Sequence, residues 1–239
     1  MSDNRFEFTR DNIDFYLNEV AKEYSKRCKK AVPAEFILIG GASVLINYGF
    51  RNMTTDVDAL VQATSVMKDA INAIADKYDL PVSWLNSDFK RTDSYTPKIV
   101  QFSDFYKRFY NILDVRTVAG EYLIAMKLRS GRQYKSDLSD VLGILSEHEK
   151  RGVPIGFEQI KKAVTDLYGD WKLLPETSLE FIDNVMRDGQ FEKLYSETVA
   201  GEKNAKDVLI KFDKEYPATV NESNIDEIIR KLREKNERE

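Results

Sequence analysis

Residues 36–61, FILIGGASVLINYGFRNMTTDVDALV, leave this chain fewer choices than any other stretch. Phe36 to Ile39 is a short apolar run rich in β-branched and aromatic side chains, which predicts a buried strand. Gly40 and Gly41 end that strand. Residues 42–48 then run at helical spacing until Gly49 supplies a stop. After the turn Gly49-Phe50-Arg51, residues 55–61 (TDVDALV) read as a second strand. The two-residue period of a strand sets Asp56 and Asp58 on one face and Val57 and Ala59 on the other. A glycine pair between strand and helix lets the backbone approach a ligand closely. The unpaired N–H groups and the positive dipole end of the following helix suit a phosphate. Ser43 adds a hydroxyl at the same place. Two carboxylates side by side repel unless a cation lies between them, and oxygen ligands of this kind suit magnesium.

Composition closes off several other chemistries. The chain has 239 residues, 42% hydrophobic and 32% charged, which describes a soluble globular protein of one large or two small domains. A formal charge of −4 offers no overall grip on nucleic acid, because no basic excess exists to displace counterions. Cys28 is the single cysteine and His148 the single histidine. An intramolecular disulfide, a His-based triad and a zinc cluster are therefore excluded. The N-terminus is polar, without the apolar core of a signal peptide, and no segment approaches membrane-spanning length. A cytoplasmic protein without membrane partners is expected.

Along the chain, Thr9 or Asp11 can cap a first helix reaching about residue 30, with Ile13, Leu17, Val20 and Tyr24 at helical spacing. A helix over 66–78 follows the aspartate strand, with Ser65 as its cap. Residues 81–85 (PVSWL) and 98–102 (KIVQF) read as strands, joined by the polar excursion SDFKRTDSYTP, and 109–118 (FYNILDVRTV) as one further strand. Strand signals then vanish. Helices are expected over 121–130, 137–150, 157–168, 178–187, 190–200, 205–216 and 225–237, separated by glycines and prolines. The fold class is α/β (α+β): a mixed sheet with flanking helices over 1–132, followed by an all-helical domain over 133–239.

The order strand, Gly-Gly-Ala-Ser, helix, Gly-Phe-Arg, Thr-Thr-Asp-Val-Asp resembles the core signature of the nucleotidyltransferase superfamily. DNA polymerase beta, the CCA-adding enzymes and the small bacterial nucleotidyltransferases belong there. The resemblance implies that Gly40, Gly41 and Ser43 hold a nucleoside triphosphate, while Asp56 and Asp58 hold two magnesium ions. It also implies a third acid on a later strand. Asp114 is the candidate, since a carboxylate inside the apolar run NILDV is costly to bury alone. An ion pair with Arg116 at a sheet edge is the competing reading. Lys127 falls at the centre of the apolar arc of its helix, where an ammonium must find an anion. That anion is a nucleotide phosphate, an active-site aspartate or a structural partner, Asp137 or Asp140. The segment EYLIAMKLRSGRQYKSDLSDVLGIL is similar to the AbiEii-type toxins and related minimal nucleotidyltransferases, in which an Ala-Met-Lys helix precedes an Asp-x-x-Asp pair. The AbiEii glycine turn is usually Gly-Gly-Thr or Gly-Ser, and here it is Gly-Gly-Ala-Ser.

The expected activity is magnesium-dependent transfer of a nucleoside monophosphate from an NTP such as ATP to an acceptor hydroxyl. The acceptor is a tRNA end, a protein or a small molecule, and the AbiEii likeness implies a toxin–antitoxin or phage-defence setting. Two other readings stand beside it: a catalytically inactive nucleotidyltransferase-fold regulatory module, and a glycosyltransferase using Asp-Val-Asp to bind a nucleotide-sugar.

Overall fold

A computed structural model describes residues 6–28, 32–61, 64–132 and 135–217, together with 219, 224, 225, 228 and 231. By packing, the chain forms two compact units. One comprises Met1–Met126 with Phe157–Trp171, the other Lys127–Gly156 with Lys172–Glu239.

The first unit opens with α1 (Arg10–Arg27), whose Ile13, Leu17, Val20 and Tyr24 are all buried, as their spacing requires. The Thr9 N–H donates to Asn12 Oδ1 at 2.9 Å, so a side chain satisfies one end of the first turn. Then come β1 (Ala34–Leu38), α2 (Gly40–Asn47), β2 (Val57–Val61) and α3 (Ser65–Tyr78). Thr64 rather than Ser65 caps α3, its side chain accepting from Met67 N at 3.3 Å. β3 (Leu85–Asn86), β4 (Ser103–Phe109), β5 (Leu113–Val118) and α4 (Gly120–Ser130) follow. The five strands make one mixed sheet in the order β3-β2-β1-β5-β4. β1 is antiparallel to β2 and parallel to β5; β3 adds parallel to β2, and β4 antiparallel to β5.

Alternation divides the sheet. Phe36, Leu38, Val57, Ala59, Leu113 and Val115 are buried with Leu17, Val20, Met67 and Ile74 of α1 and α3 in one core. By register the opposite face carries Glu35, Ile37, Asp58, Leu60, Asp114 and Arg116.

Three expected strands are built differently. Within PVSWL, Ser83 adopts a left-handed φ of 62°, so only Leu85 and the following Asn86 pair with β2. KIVQF lies in a 3₁₀ segment, Pro97–Phe102, with Thr96 accepting from Lys98 N at 3.4 Å. Pro97 fits a first helical turn, and only Ile99 of this segment is buried. The single strand expected over 109–118 is the end of a hairpin. Tyr110 and Asn111 take φ of 47° and 53°, and Ile112 N–H donates to Phe109 O at 3.1 Å, turning β4 into β5.

The remaining helices are α5 (Asp137–Lys150), α6 (Phe157–Tyr168), α7 (Glu176–Asp188) and α8 (Phe191–Glu215). α6 belongs with the sheet. Lys98 Nζ donates to Asp166 O at 2.9 Å, Tyr122 OH to Asp166 Oδ2 at 2.8 Å and Tyr168 OH to Ser94 O at 2.7 Å. In the second unit, α5 packs on α8 through a buried run that includes Val141, Leu142 and Leu145. The helix expected over 225–237 lies almost wholly outside the described residues. No helix among the described residues is long and apolar enough to cross a membrane.

The two helices expected on either side of Gly201 are one. Gly201 sits inside α8, and a Cβ there would meet no atom within 4 Å. Gly201→Ala should therefore stabilise the protein by about 0.5–1 kcal/mol, by restricting the unfolded chain and favouring the helix. A urea titration showing a lower midpoint would contradict an uninterrupted α8.

Candidate functional site

The start of α2 is shaped by what presses against it. Gly40 adopts φ of +55°, and a Cβ there would lie 3.4 Å from Asp58 Oδ2. At Gly41 a Cβ would lie 2.8 Å from Thr54 Oγ1 and 2.9 Å from Arg51 Nη2. The absence of side chains thus admits a carboxylate and a guanidinium against the first turn of the helix. Backbone bonds fix the strand that carries Asp58. Ile39 N–H donates to Asp58 O at 2.8 Å, and Val57 N–H to Trp84 O at 2.8 Å. Phe8 and Thr54 exchange two further bonds, 2.8 and 2.9 Å, which pin the lead into β2. Arg51 Nε donates to Met53 O at 3.2 Å. Asp56 precedes β2 rather than lying in it and is exposed, with Thr54 Oγ1 donating to Asp56 O at 3.1 Å. Arg51 is a site residue that the sequence reading treats only as part of a turn. Asn86 is another, since the β2–β3 register sets it directly beside Asp58.

Two expected members have protein partners of their own. Ser43 is fully buried, and its hydroxyl accepts from Val118 N at 3.1 Å, tying α2 to β5. Asp114 shares the sheet face of Asp58 but not its level. It pairs with Glu35 across β1–β5, whereas Asp58 bonds at Ile39, four residues further along β1. At roughly 3.3 Å per residue that offset is about 13 Å. Asp114 is instead held by Arg108 of β4, Nε to Oδ1 at 2.5 Å and Nη2 to Oδ2 at 2.6 Å. This hydrogen-bonded pairing keeps its carboxyl below the ordinary range. The competing reading expected an ion pair here, but with Arg116; Arg116 Nε donates to Ser103 Oγ at 2.9 Å. Among the described residues no three His, Cys, Asp or Glu side chains converge closely enough to hold a metal. Asp114 thus stands apart from Asp58, held by Arg108 at another level of the same face.

Lys127, in the second unit, is buried between two acids. Its Nζ lies 2.9 Å from Asp137 Oδ1 and 2.8 Å from Asp140 Oδ2. Arg132 Nε reaches Asp137 Oδ2 at 2.8 Å. The structural partners foreseen for Lys127 are both present.

A family model matches residues 15–148, more than half of the chain, and describes a nucleotidyltransferase of unknown function, DUF6036. The chain belongs to this family. The matched span runs from α1 into α5, so it takes in the glycine turn, the aspartate pair and the Lys127 cluster of this nucleotidyltransferase. Comparison with curated proteins and with solved structures finds no match.

The Lys127 cluster of this DUF6036 protein has a further acid. Glu202 of α8 accepts from Ser139 N at 3.1 Å, at the start of α5. Burial, with smaller contributions from Asp140 and Asp137, pushes its carboxyl up to about 7. Asp137 moves the other way. Burial alone would raise it, but Lys127 and Arg132 outweigh that and hold it at about 2.

Two outcomes follow. Lys127→Ala removes the buried ammonium shared by Asp137 and Asp140 and should cost about 3–5 kcal/mol of stability. Asp114→Ala should barely move the urea midpoint, because its arginine partner is exposed. As for pH, Glu202 binds its proton more tightly in the folded state, so its contribution is complete below the unfolded value near 4.5 and is lost as pH rises through about 7. Asp137 contributes above 3.8 and loses its contribution only as pH falls toward about 2. Thermal melts should therefore show stability falling from about pH 5 to about pH 8, and Glu202→Gln should flatten that slope.

Proposed function

We propose that this chain transfers a nucleoside monophosphate from a nucleoside triphosphate to an acceptor hydroxyl, assisted by magnesium. One observation carries the reading: the Asp58 carboxylate and the Arg51 guanidinium both close on the Gly40–Gly41 backbone where α2 begins. An anion cradle, a cation to neutralise phosphate and a carboxylate to hold a metal stand together there. Gly40 and Gly41 would receive the β- and γ-phosphates through backbone N–H groups, and Arg51 would neutralise their charge. Asp56 and Asp58 supply oxygen donors that fit magnesium, whose remaining positions suit phosphate oxygens and water. Bound there, magnesium would supply Lewis-acid stabilisation of charge on the phosphoryl oxygens. Asn86, beside Asp58, occupies a position from which an amide can orient a substrate oxygen.

The Lys127–Asp137–Asp140 cluster is what favours kinship with the AbiEii-type branch, and with it a toxin–antitoxin or phage-defence role. Lys127 then acts by organising the second unit. The inactive-module reading gains from one observation, the engagement of Asp114 by Arg108 away from the aspartate pair.

A thermal-shift series with each nucleoside triphosphate, with and without magnesium, separates the two. Magnesium-dependent stabilisation by at least one triphosphate is expected. Asp58→Ala should remove that dependence and lower nucleotidyl transfer by about 100-fold or more, the scale of losing one group aimed at developing charge. Stabilisation by nucleotide-sugars alone would point to the glycosyltransferase reading. No response to any nucleotide would leave the module reading.

A further inference from the structure

The sheet face that carries Asp58 continues into a cleft of about 130 Å³. Its floor includes Ile37 of β1 and Leu60 of β2, which are register partners, with Glu35 at one end. Lys90 and Tyr95, from the excursion between β3 and β4, stand at its wall. Leu60 lies two residues beyond Asp58 on the same strand face, about 7 Å away. Gly40 lies on the other side of Asp58, since β1 runs from Glu35 through Ile37 to the start of α2. Cleft, Asp58 and glycine turn therefore follow one another in a row across one face.

That order has a chemical consequence, which rests on the nucleotidyl-transfer reading above. Displacement at a phosphorus is in line: the attacking oxygen arrives opposite the leaving group. With the β- and γ-phosphates on the glycine turn and the α-phosphorus by Asp58, the attacking hydroxyl must enter from the far side of Asp58. The cleft occupies that side. We propose that it seats the acceptor, and that the acceptor is a hydroxylated ring without net negative charge, of sugar or aminosugar type. In the step, the acceptor oxygen bonds to the α-phosphorus and its proton is released to water. The bond from the α-phosphorus to the bridging oxygen breaks, and pyrophosphate leaves with that electron pair.

Size and charge set the class. A cavity of about 150 Å³ takes a single benzene ring, so this cleft takes one ring and not a base pair. Glu35 accepts hydrogen bonds from hydroxyl or ammonium groups and repels phosphate, while Lys90 donates. Tyr95 offers an aromatic face against which a sugar ring can lie. The formal charge of −4 adds nothing that would draw in a polyanion.

The test uses the full chain with magnesium and an equal mixture of the four α-³²P-labelled nucleoside triphosphates, added to a cell extract that is then separated into nucleic acid, protein and small molecules. New labelled small molecules, separate from the nucleotides themselves, are expected with the wild-type protein and absent with Asp58→Ala. Leu60→Trp, which fills the cleft, should cut that transfer at least tenfold while leaving the magnesium–triphosphate thermal shift unchanged. Glu35→Lys, at a half-exposed strand end and free of packing changes in the floor, should do the same. Label in nucleic acid or protein above the level seen with Asp58→Ala would overturn the acceptor class. A loss of triphosphate stabilisation in both variants would make the cleft the seat of the donor nucleoside and overturn the proposal. Triphosphate stabilisation without transfer to any fraction would count against an acceptor seat. A wild-type protein unresponsive to triphosphate would instead fail the underlying reading.

Discussion

The backbone hydrogen bond from Ile39 N–H to Asp58 O is where the pairing of β1 with β2 meets the glycine turn. It fixes β2 against the end of β1 so that the Asp58 side chain meets the glycine turn. Slipping β2 by one residue would turn Asp58 into the core beneath α1 and α3, where an unpaired carboxylate is prohibitive. Burial enforces the observed register, because Val57 and Ala59 are wholly covered on that face. The Phe8–Thr54 bridge adds a second anchor just before the strand. The chemistry of the turn is thus secured by apolar residues that point away from it.

The two units handle charge in different ways. In the first, Asp58 and Arg51 are brought against a helix start whose first N–H groups have no partner within the helix. In the second, Lys127, Arg132, Asp137 and Asp140 close on one another within the protein, at separations of 2.8 to 2.9 Å. Such a buried network rigidifies its surroundings only when every member is satisfied. Here the two acids share one ammonium, and the guanidinium completes Asp137. Glu202 is raised chiefly by burial, which is why its carboxyl holds a proton so readily.

Much of this was legible in the residues. Period and breakers locate β1, α2, α5 and α6, because each depends on nearby sequence. The glycine pair and Asp58 were legible for the same reason, being joined by a short connection. The level of Asp114 relative to Asp58 was not, since it depends on how β5 registers on β1, a pairing in which Glu35 and Asp114 are 79 residues apart. The apolar content of KIVQF suggested a strand, but Pro97 and the burial of Ile99 alone belong to a 3₁₀ turn. The β4–β5 hairpin lacked the usual Asn-Gly marker, placing Tyr110 and Asn111 in the left-handed region instead. Lys127 announced its need for an anion by its place on the apolar arc. Which anion would answer was a matter of how α5 folds back.

The path of the backbone passes between the two units three times, after Met126, Gly156 and Trp171. α6 is the segment returned to the sheet by the middle crossing, and the family likeness stops short of it, at residue 148. A fragment trimmed to the recognisable family span would lose Asp166, and with it the acceptors that hold Tyr122 and Lys98. What looks from homology like a dispensable extension is, in the folded chain, part of the unit that carries the sheet.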